Sequence, residues 1–425
     1  MLKIAVIGAG STYTPELAAG IFSRKDIFPV TELSLMDIDE RKLSVVGGLV
    51  ERMAAHEGGR VKVTKTMNLD TALSGASFVM AQIRVGKLPA RHLDESIPLR
   101  YGLIGQETTG IGGFFKGLRT IPVMMDVARH IEKCCPDAWL INFSNPSGMI
   151  AEALLRFTDV RMMGLCNIPI ATIAKAREAV GDPEAAVETV GLNHLSWVTS
   201  VKSRGEEKIH DLIQKGYSGE KPKNLPESEF SVECLRAAGG IPCGYLLYYY
   251  DREARLVQLQ KAEKTRAQVC MEIEEELLAL YSDPNLAEKP ALLDKRGGHM
   301  YSEAAVWLAE AIYNDTGAAH TVNTQNGGVL PYLQPDEAAE IACSIGKNGP
   351  KPLPVENTGT AHIKGLMQAV KAYERLATEA AIWGDRDAAL AALMVHPLVG
   401  DFDRAKSCFA ELLEAHARYL PNFYK

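Results

Sequence analysis

Apolar positions follow two rhythms along this chain. In the first half, short β-branched runs alternate with helix-length amphipathic stretches. Lys3 to Ile7, Glu32 to Met36, Val61 to Val63, Phe78 to Ile83 and Trp139 to Phe143 read as strands, and Glu16 to Ser23 and Glu40 to Ala55 read as helices. Met162 to Leu165, Val187 to Leu192 and Trp197 to Val201 extend the strand series. Alternation of this kind predicts an α/β protein with a parallel, doubly wound sheet. The second half changes to a helical period: Glu253 to Tyr281 reads as one long helix, and Gly365 to Ala380, Ala388 to Met394 and Arg404 to Tyr419 as three more. The stretch from Lys215 to Glu229, rich in Gly, Pro and charge, reads as an exposed loop.

The sequence of 425 residues exceeds one ordinary domain, so the change of rhythm predicts two substructures, 1–170 and 171–425. A net charge of −7, with no basic tract and no basic amphipathic helix, disfavours nucleic acid or an anionic membrane as partner. A small molecule is the expected partner. Eight cysteines stand at irregular spacing with no CxxC pair, which points to reduced thiols in a cytoplasm. The opening MLKIAVIGAG is apolar too briefly for a signal peptide or an anchor.

The turn Gly8-Ala9-Gly10 between first strand and first helix has the residues of a dinucleotide phosphate loop, where small side chains let backbone N–H groups approach a pyrophosphate. Tyr13 stands where a third glycine is usual, and Ser11 and Thr12 offer hydroxyls to phosphate instead. Asp37, at the end of the second strand, suits the ribose hydroxyls and favours NAD over NADP; Asp39 is a weaker competitor.

Ligands of open parallel sheets bind beyond the strands' carboxyl ends. Three apolar runs there end in polar groups: Asn142 and Asn145 in "INFSNPSG", Cys166 and Asn167 in "GLCNIP", Asn193 and His194 in "GLNHLSW". By spacing alone, Cys166 and His194 suit buried structural roles at least as well as metal binding. As a ligand pair they would suit manganese, iron, cobalt, nickel or zinc, with positions left open for substrate oxygens. "VGKLPARHLDESIPLRYGLIGQETTG" carries Arg91, Arg100, Gln106, Glu107, Thr108 and Thr109, either a solvated loop or an anion site. "CGYLLYYYDRE" offers Tyr245, Tyr248, Tyr249 and Tyr250, and periodicity does not choose among them.

Taken together, "VIGAGSTYTPEL", "IPLRYGLIGQETTG", "NFSNPSG", "GLCNIP", "GLNHLSW" and "KRGGHMYS" resemble the NAD- and metal-dependent family 4 glycoside hydrolases over nearly the whole chain. The resemblance implies a Rossmann-like domain of lactate/malate dehydrogenase type with a mainly helical α+β C-terminal domain for substrate, metal and oligomerisation. It implies NAD, a divalent metal (Mn2+, or Fe2+, Co2+ or Ni2+), and a homodimer or homotetramer. Such enzymes are exceptions to the two-carboxylate glycosidase scheme. NAD oxidises the sugar at C3, the acidified C2 proton is removed, the leaving group is eliminated, water adds, and C3 is reduced again. Position for position, the resemblance makes Cys166 and His194 the metal ligands and Tyr245 the base, with Glu107 raising its basicity. It makes Arg91, Asn145, Asn167 and Arg266 substrate contacts. Tyrosine, with an ordinary pKa near ~10, needs such activation.

Asn167 cannot act as a proton donor, and the resemblance then points to the β-selective branch acting on 6-phosphorylated disaccharides such as cellobiose 6-phosphate. His299 stands where a smaller residue is common, which leaves the aglycone side open. The rivals from the residues alone are an NAD-dependent hydroxyacid dehydrogenase, which would need a His–Asp pair at the strand ends, and a non-catalytic NAD-sensing module.

Overall fold

The computed structural model describes residues 2–425 except 218, 220–228 and 297–300. Most of the stretch 215–229 expected as an exposed loop, and His299, lie outside the described residues.

The core of the fold is a mixed nine-stranded sheet. Strands β1 (Lys3–Ile7), β2 (Glu32–Met36), β3 (Lys62–Thr66), β4 (Phe78–Ala81), β5 (Trp139–Asn142) and β6 (Arg161–Gly164) run parallel in the order 3-2-1-4-5-6. Order reverses between β1 and β4, which opens a crevice at their carboxyl ends. β1, β4 and β5 are wholly buried and mostly apolar, with Lys3 and Asn142 at strand ends, as central parallel strands require. Helix Glu40–His56 turns Leu43, Val46, Leu49, Val50 and Met53 inward and starts at Asp39, whose side chain accepts from Lys42 N. Helix Gly110–Cys134 is buried along most of its length.

Beyond β6 the structure departs from the sequence expectation. β7 (Ala186–Leu192) and β8 (Leu195–Ser203) do not extend the parallel sheet; they form an antiparallel hairpin. Two short strands, β9 (Glu206–Glu207) and β10 (Ile241–Pro242), complete a separate four-stranded sheet with them. His194 therefore lies in a hairpin turn, with φ 62°, and not at a parallel strand's end.

Three strands from the second half, β11 (Ala318–Gln325), β12 (Ala338–Gly346) and β13 (Gly349–Pro352), join the main sheet antiparallel beside β6. The expected helix from Glu253 to Tyr281 is two helices, Arg252–Lys261 and Arg266–Tyr281. The break falls at Thr265, whose hydroxyl and Gln268 form a reciprocal capping box that starts the second helix. Helices Ala361–Trp383, Arg386–Val395 and Phe402–Ala415 follow. Among the described residues, no helix is long and apolar enough to cross a membrane.

Candidate active site

A cavity of about 1010 Å3 opens at the switch point between β1 and β4. At one end lies the glycine turn. Gly8 and Ala9 donate to Met36 O, both at 2.9 Å, and Gly8 has φ 86° with a Cβ position only 2.9 Å from Gln82 O, so no other residue fits there. Gly10 N–H donates to Asp37 Oδ2 at 2.7 Å, and Asp39 N–H to Asp37 Oδ1 at 2.9 Å. Gly8, Gly10, Ser11 and Asp37 all line the cavity. Thr12, expected to offer a hydroxyl to phosphate, is fully buried and is not on the cavity wall, and its carbonyl accepts from Tyr281 Oη at 2.7 Å. Ser11 is the hydroxyl on the wall. Asp39 serves as a helix cap and pairs with Lys87, and these partners hold its carboxyl below the usual range against a desolvation that pushes it up.

At the other end, Asn145, Asn167, His194, Tyr245, Arg91, Glu107 and Arg266 share the wall. Of Tyr245, Tyr248, Tyr249 and Tyr250, Tyr245 is the one that lines it, from a single 3-10 turn, Gly244–Leu246, just after β10. Its ring stacks on His194, with centroids 4.0 Å apart and planes 6° from parallel. His194 Nδ1 is 2.9 Å from Thr108 Oγ1. Burial pushes the His194 pKa down to about 3, so the ring is neutral, and with Nδ1 engaged by the hydroxyl its Nε2 is the nitrogen left for a ligand.

Cys166 occupies the N-cap position of helix Asn167–Val180 and is 1% exposed, just behind Asn167 and off the cavity wall. Thiol and neutral imidazole suit a borderline divalent ion by donor chemistry. Among the described residues no group of three or more His, Cys, Asp or Glu forms a cage, so an ion here would keep positions open. The Asn145 side-chain oxygen is buried and has no hydrogen-bond partner among the described residues, while the residue lines the cavity.

The run from Lys87 to Thr109, weighed as a solvated loop, is mostly the helix Lys87–Arg100 with a buried face. Arg91 donates to Glu95 Oε1 at 2.6 Å and lies 3.1 Å from Glu107 Oε1. Arg100 lies apart, paired with Glu411 at the surface. Glu107 also meets Arg84, and Lys116 Nζ at 2.8 Å. Desolvation pushes the Glu107 carboxyl up, but Arg84, Arg91 and Lys116 outweigh it and hold it well below the usual range. Lys116 is buried at the edge of the cavity; burial, with Arg84 beside it, lowers its pKa to about 7. Sequence reasoning missed Arg84 and Lys116, which both line the cavity. The available signal was a single cation inside the apolar run "GGFFKGL".

A Rossmann-type sheet with a deep cavity at its switch point is the class of protein that fold and site define. The chain belongs to glycosyl hydrolase family 4: the Family 4 glycosyl hydrolase model matches residues 3–181, and the Family 4 glycosyl hydrolase C-terminal domain model matches residues 189–399. It is 44% identical to the probable 6-phospho-β-glucosidase of Bacillus subtilis (strain 168), covering 100% of this chain and 98% of that one. It is similar to the 6-phospho-β-glucosidase of Thermotoga maritima solved with manganese, NAD+ and glucose-6-phosphate, with TM-score 0.90, 34% identity and 99% of each chain covered. The fold also matches malate dehydrogenase of Plasmodium falciparum, with TM-score 0.55 and 12% identity over 92% of this chain and 100% of that one. That likeness bears on fold alone.

Proposed function

We propose that this chain hydrolyses 6-phospho-β-glucosides, such as cellobiose 6-phosphate, to glucose 6-phosphate and an aglycone, with NAD and a divalent ion, Mn2+ foremost, as cofactors. The observation that carries the reading is the single wall shared by the glycine turn, the His194–Tyr245 stack and the Arg84–Arg91–Glu107–Lys116 group. NAD held by Gly8, Gly10, Ser11 and Asp37 would supply an acceptor, and later a donor, of hydride. A divalent ion held by Cys166 and His194 would supply a Lewis acid for charge developing on sugar oxygens.

The remaining work belongs to side chains. Tyr245 takes the C2 proton, its ring held in place by the His194 stack. Glu107 balances part of the surrounding positive charge, and Arg84, Arg91, Lys116 and Arg266 leave a surplus suited to a 6-phosphate. Asn145 presents an oxygen without a partner among the described residues, fit to accept from a sugar hydroxyl. Asn167 touches sugar without donating a proton as an acid would, in keeping with β-selectivity. The fuller reading places the enzyme in the cytoplasm as a homodimer or homotetramer, with 1–170 holding NAD and 171–425 holding substrate, metal and the contacts between subunits. Light scattering of the purified chain tests the assembly.

A hydroxyacid dehydrogenase is disfavoured, because the imidazole on the wall is partnered by the Thr108 hydroxyl and not by a carboxylate. The test is hydrolysis of chromogenic 6-phospho-α- and 6-phospho-β-glucosides with Mn2+, NAD and a reductant. We expect turnover of the β-series, lost on chelation and on NAD removal and slowed by deuterium at C2. Full activity after both removals overturns the redox route. An NAD-sensing module would show no turnover at all.

A further inference from the structure

Glu340 stands on β12, 1% exposed and away from the cavity. Its Oε1 accepts two hydrogen bonds, from Asn193 Nδ2 and from Asn323 Nδ2, both at 3.1 Å. Its Oε2 is buried and has no hydrogen-bond partner among the described residues. A buried carboxyl with one oxygen doubly engaged and the other idle costs stability, as an unmet buried polar group does. Hydrophobic residues would fill the position more cheaply.

What the arrangement secures is visible in its two partners. Asn323 pairs across β11 with Glu340 on one side and with Gly164 of β6 on the other, and Cys166 follows two residues after Gly164. Asn193 stands in the β7–β8 turn directly before His194. One oxygen therefore ties the strand end that carries the thiol to the turn that carries the imidazole, although the two belong to different sheets. Glycines let the pieces approach. A Cβ on Gly164 would lie 2.9 Å from Asn323 Cβ and 2.6 Å from Ser147 Oγ, and one on Gly148 would lie 3.0 Å from Asn193 Cβ.

We propose that Glu340 is a positioning residue, which fixes the spacing of Cys166 and His194 through Asn323 and Asn193 so that both donors can hold one divalent ion. The inference rests on the reading that Cys166 and His194 hold that ion. Partners beyond the ligands orient metal sites, and their loss commonly weakens metal binding about 10–100-fold. Burial pushes the Glu340 carboxyl up to about 7, so an uncharged isostere is a fair replacement.

The experiment titrates Mn2+ alone into the full NAD-loaded chain by calorimetry, for wild type, Cys166→Ala, Glu340→Ala, Glu340→Gln and Asn323→Ala. Folding is checked by thermal melting and by NADH fluorescence. We expect Glu340→Ala and Asn323→Ala to bind Mn2+ about tenfold or more weakly with NADH affinity unchanged, and Glu340→Gln to stay within about threefold of wild type. A folded Glu340→Ala with wild-type Mn2+ affinity overturns the inference while leaving the metal site intact. If Glu340→Ala does not fold, Asn323→Ala decides in the same way. A Cys166→Ala chain that binds Mn2+ as tightly as wild type overturns the underlying reading, and the Glu340 role falls with it.

Discussion

The rings of His194 and Tyr245 lie face to face, 4.0 Å between centroids and 6° from parallel. A residue in a left-handed turn thus holds a residue in a 3-10 turn from another part of the chain. Phenylalanine at 245 keeps the stacked face and removes only the hydroxyl. Tyr245→Phe should lower kcat by about 10²–10⁴-fold, the usual worth of a general base, with thermal midpoint and NADH affinity unchanged. Loss of NADH binding together with activity would show a structural role instead.

Asp37 holds the glycine turn as well as lining the cavity, because its two oxygens accept the N–H groups of Gly10 and Asp39. Asp37→Ala should cost about 1–3 kcal/mol in NADH binding, roughly tenfold or more in affinity. A carboxylate there also repels a 2'-phosphate, so the preference for NADH over NADPH should narrow in the variant. Fluorescence titration with both nucleotides measures the two effects; an unchanged ratio refutes the ribose assignment.

The half of the chain that holds the dinucleotide turn was legible because parallel strands buried on both faces are written as apolar runs. β2 falls on Glu32–Met36 as its pattern predicts. β11 and β12 were not legible, since "AAHTVNTQ" and "AAEIACSIG" bury Asn323 and Glu340, which are paired with each other and with Asn193 by hydrogen bonds that no sequence pattern shows. The hairpin around His194 hid for a related reason: strand periodicity shows that a strand exists and not which sheet it joins. The break at Thr265 could have been read from Thr-x-x-Gln. In the site, motif residues supplied most of the wall, whereas Thr12 and Cys166 are buried next to wall residues, a one-residue difference that spacing cannot resolve.

A buried ionic cluster joins the C-terminal segment to the same wall. Arg119 donates to both oxygens of Asp94, and His416 Nε2 lies 2.9 Å from Asp94 Oδ1, all three side chains fully buried. The turn Ala417–Tyr419 follows at once, and Arg418 and Tyr419 line the cavity. Arg119→Met leaves the Asp94 carboxylate without its main partner and should destabilise the chain by about 3–5 kcal/mol. Asp94→Asn added to Arg119→Met should recover part of that loss. Urea unfolding measures both, and equal stability of the single and double variants refutes the coupling.

Acid should act through His396. Backbone N–H groups of Gly110 and Leu398 approach its Nε2 and Nδ1 at 3.3 and 3.1 Å; a neutral ring accepts from one of them, and a protonated ring from neither. Burial lowers its pKa to about 3, against 6.5 for an ordinary histidine, so the folded chain refuses a proton that the unfolded chain accepts between those values. A base with a depressed folded pKa contributes its full stability above pH 6.5 and loses it as pH falls toward 3. At pH 5 the loss is about 2 kcal/mol, from 1.36 kcal/mol per unit. Other groups titrate in the same range, so the difference between wild type and His396→Gln isolates the effect. The variant should be less stable at pH 7, and its deficit should shrink by about 2 kcal/mol at pH 5. A deficit independent of pH in urea unfolding would mean that His396 keeps its proton balance on folding.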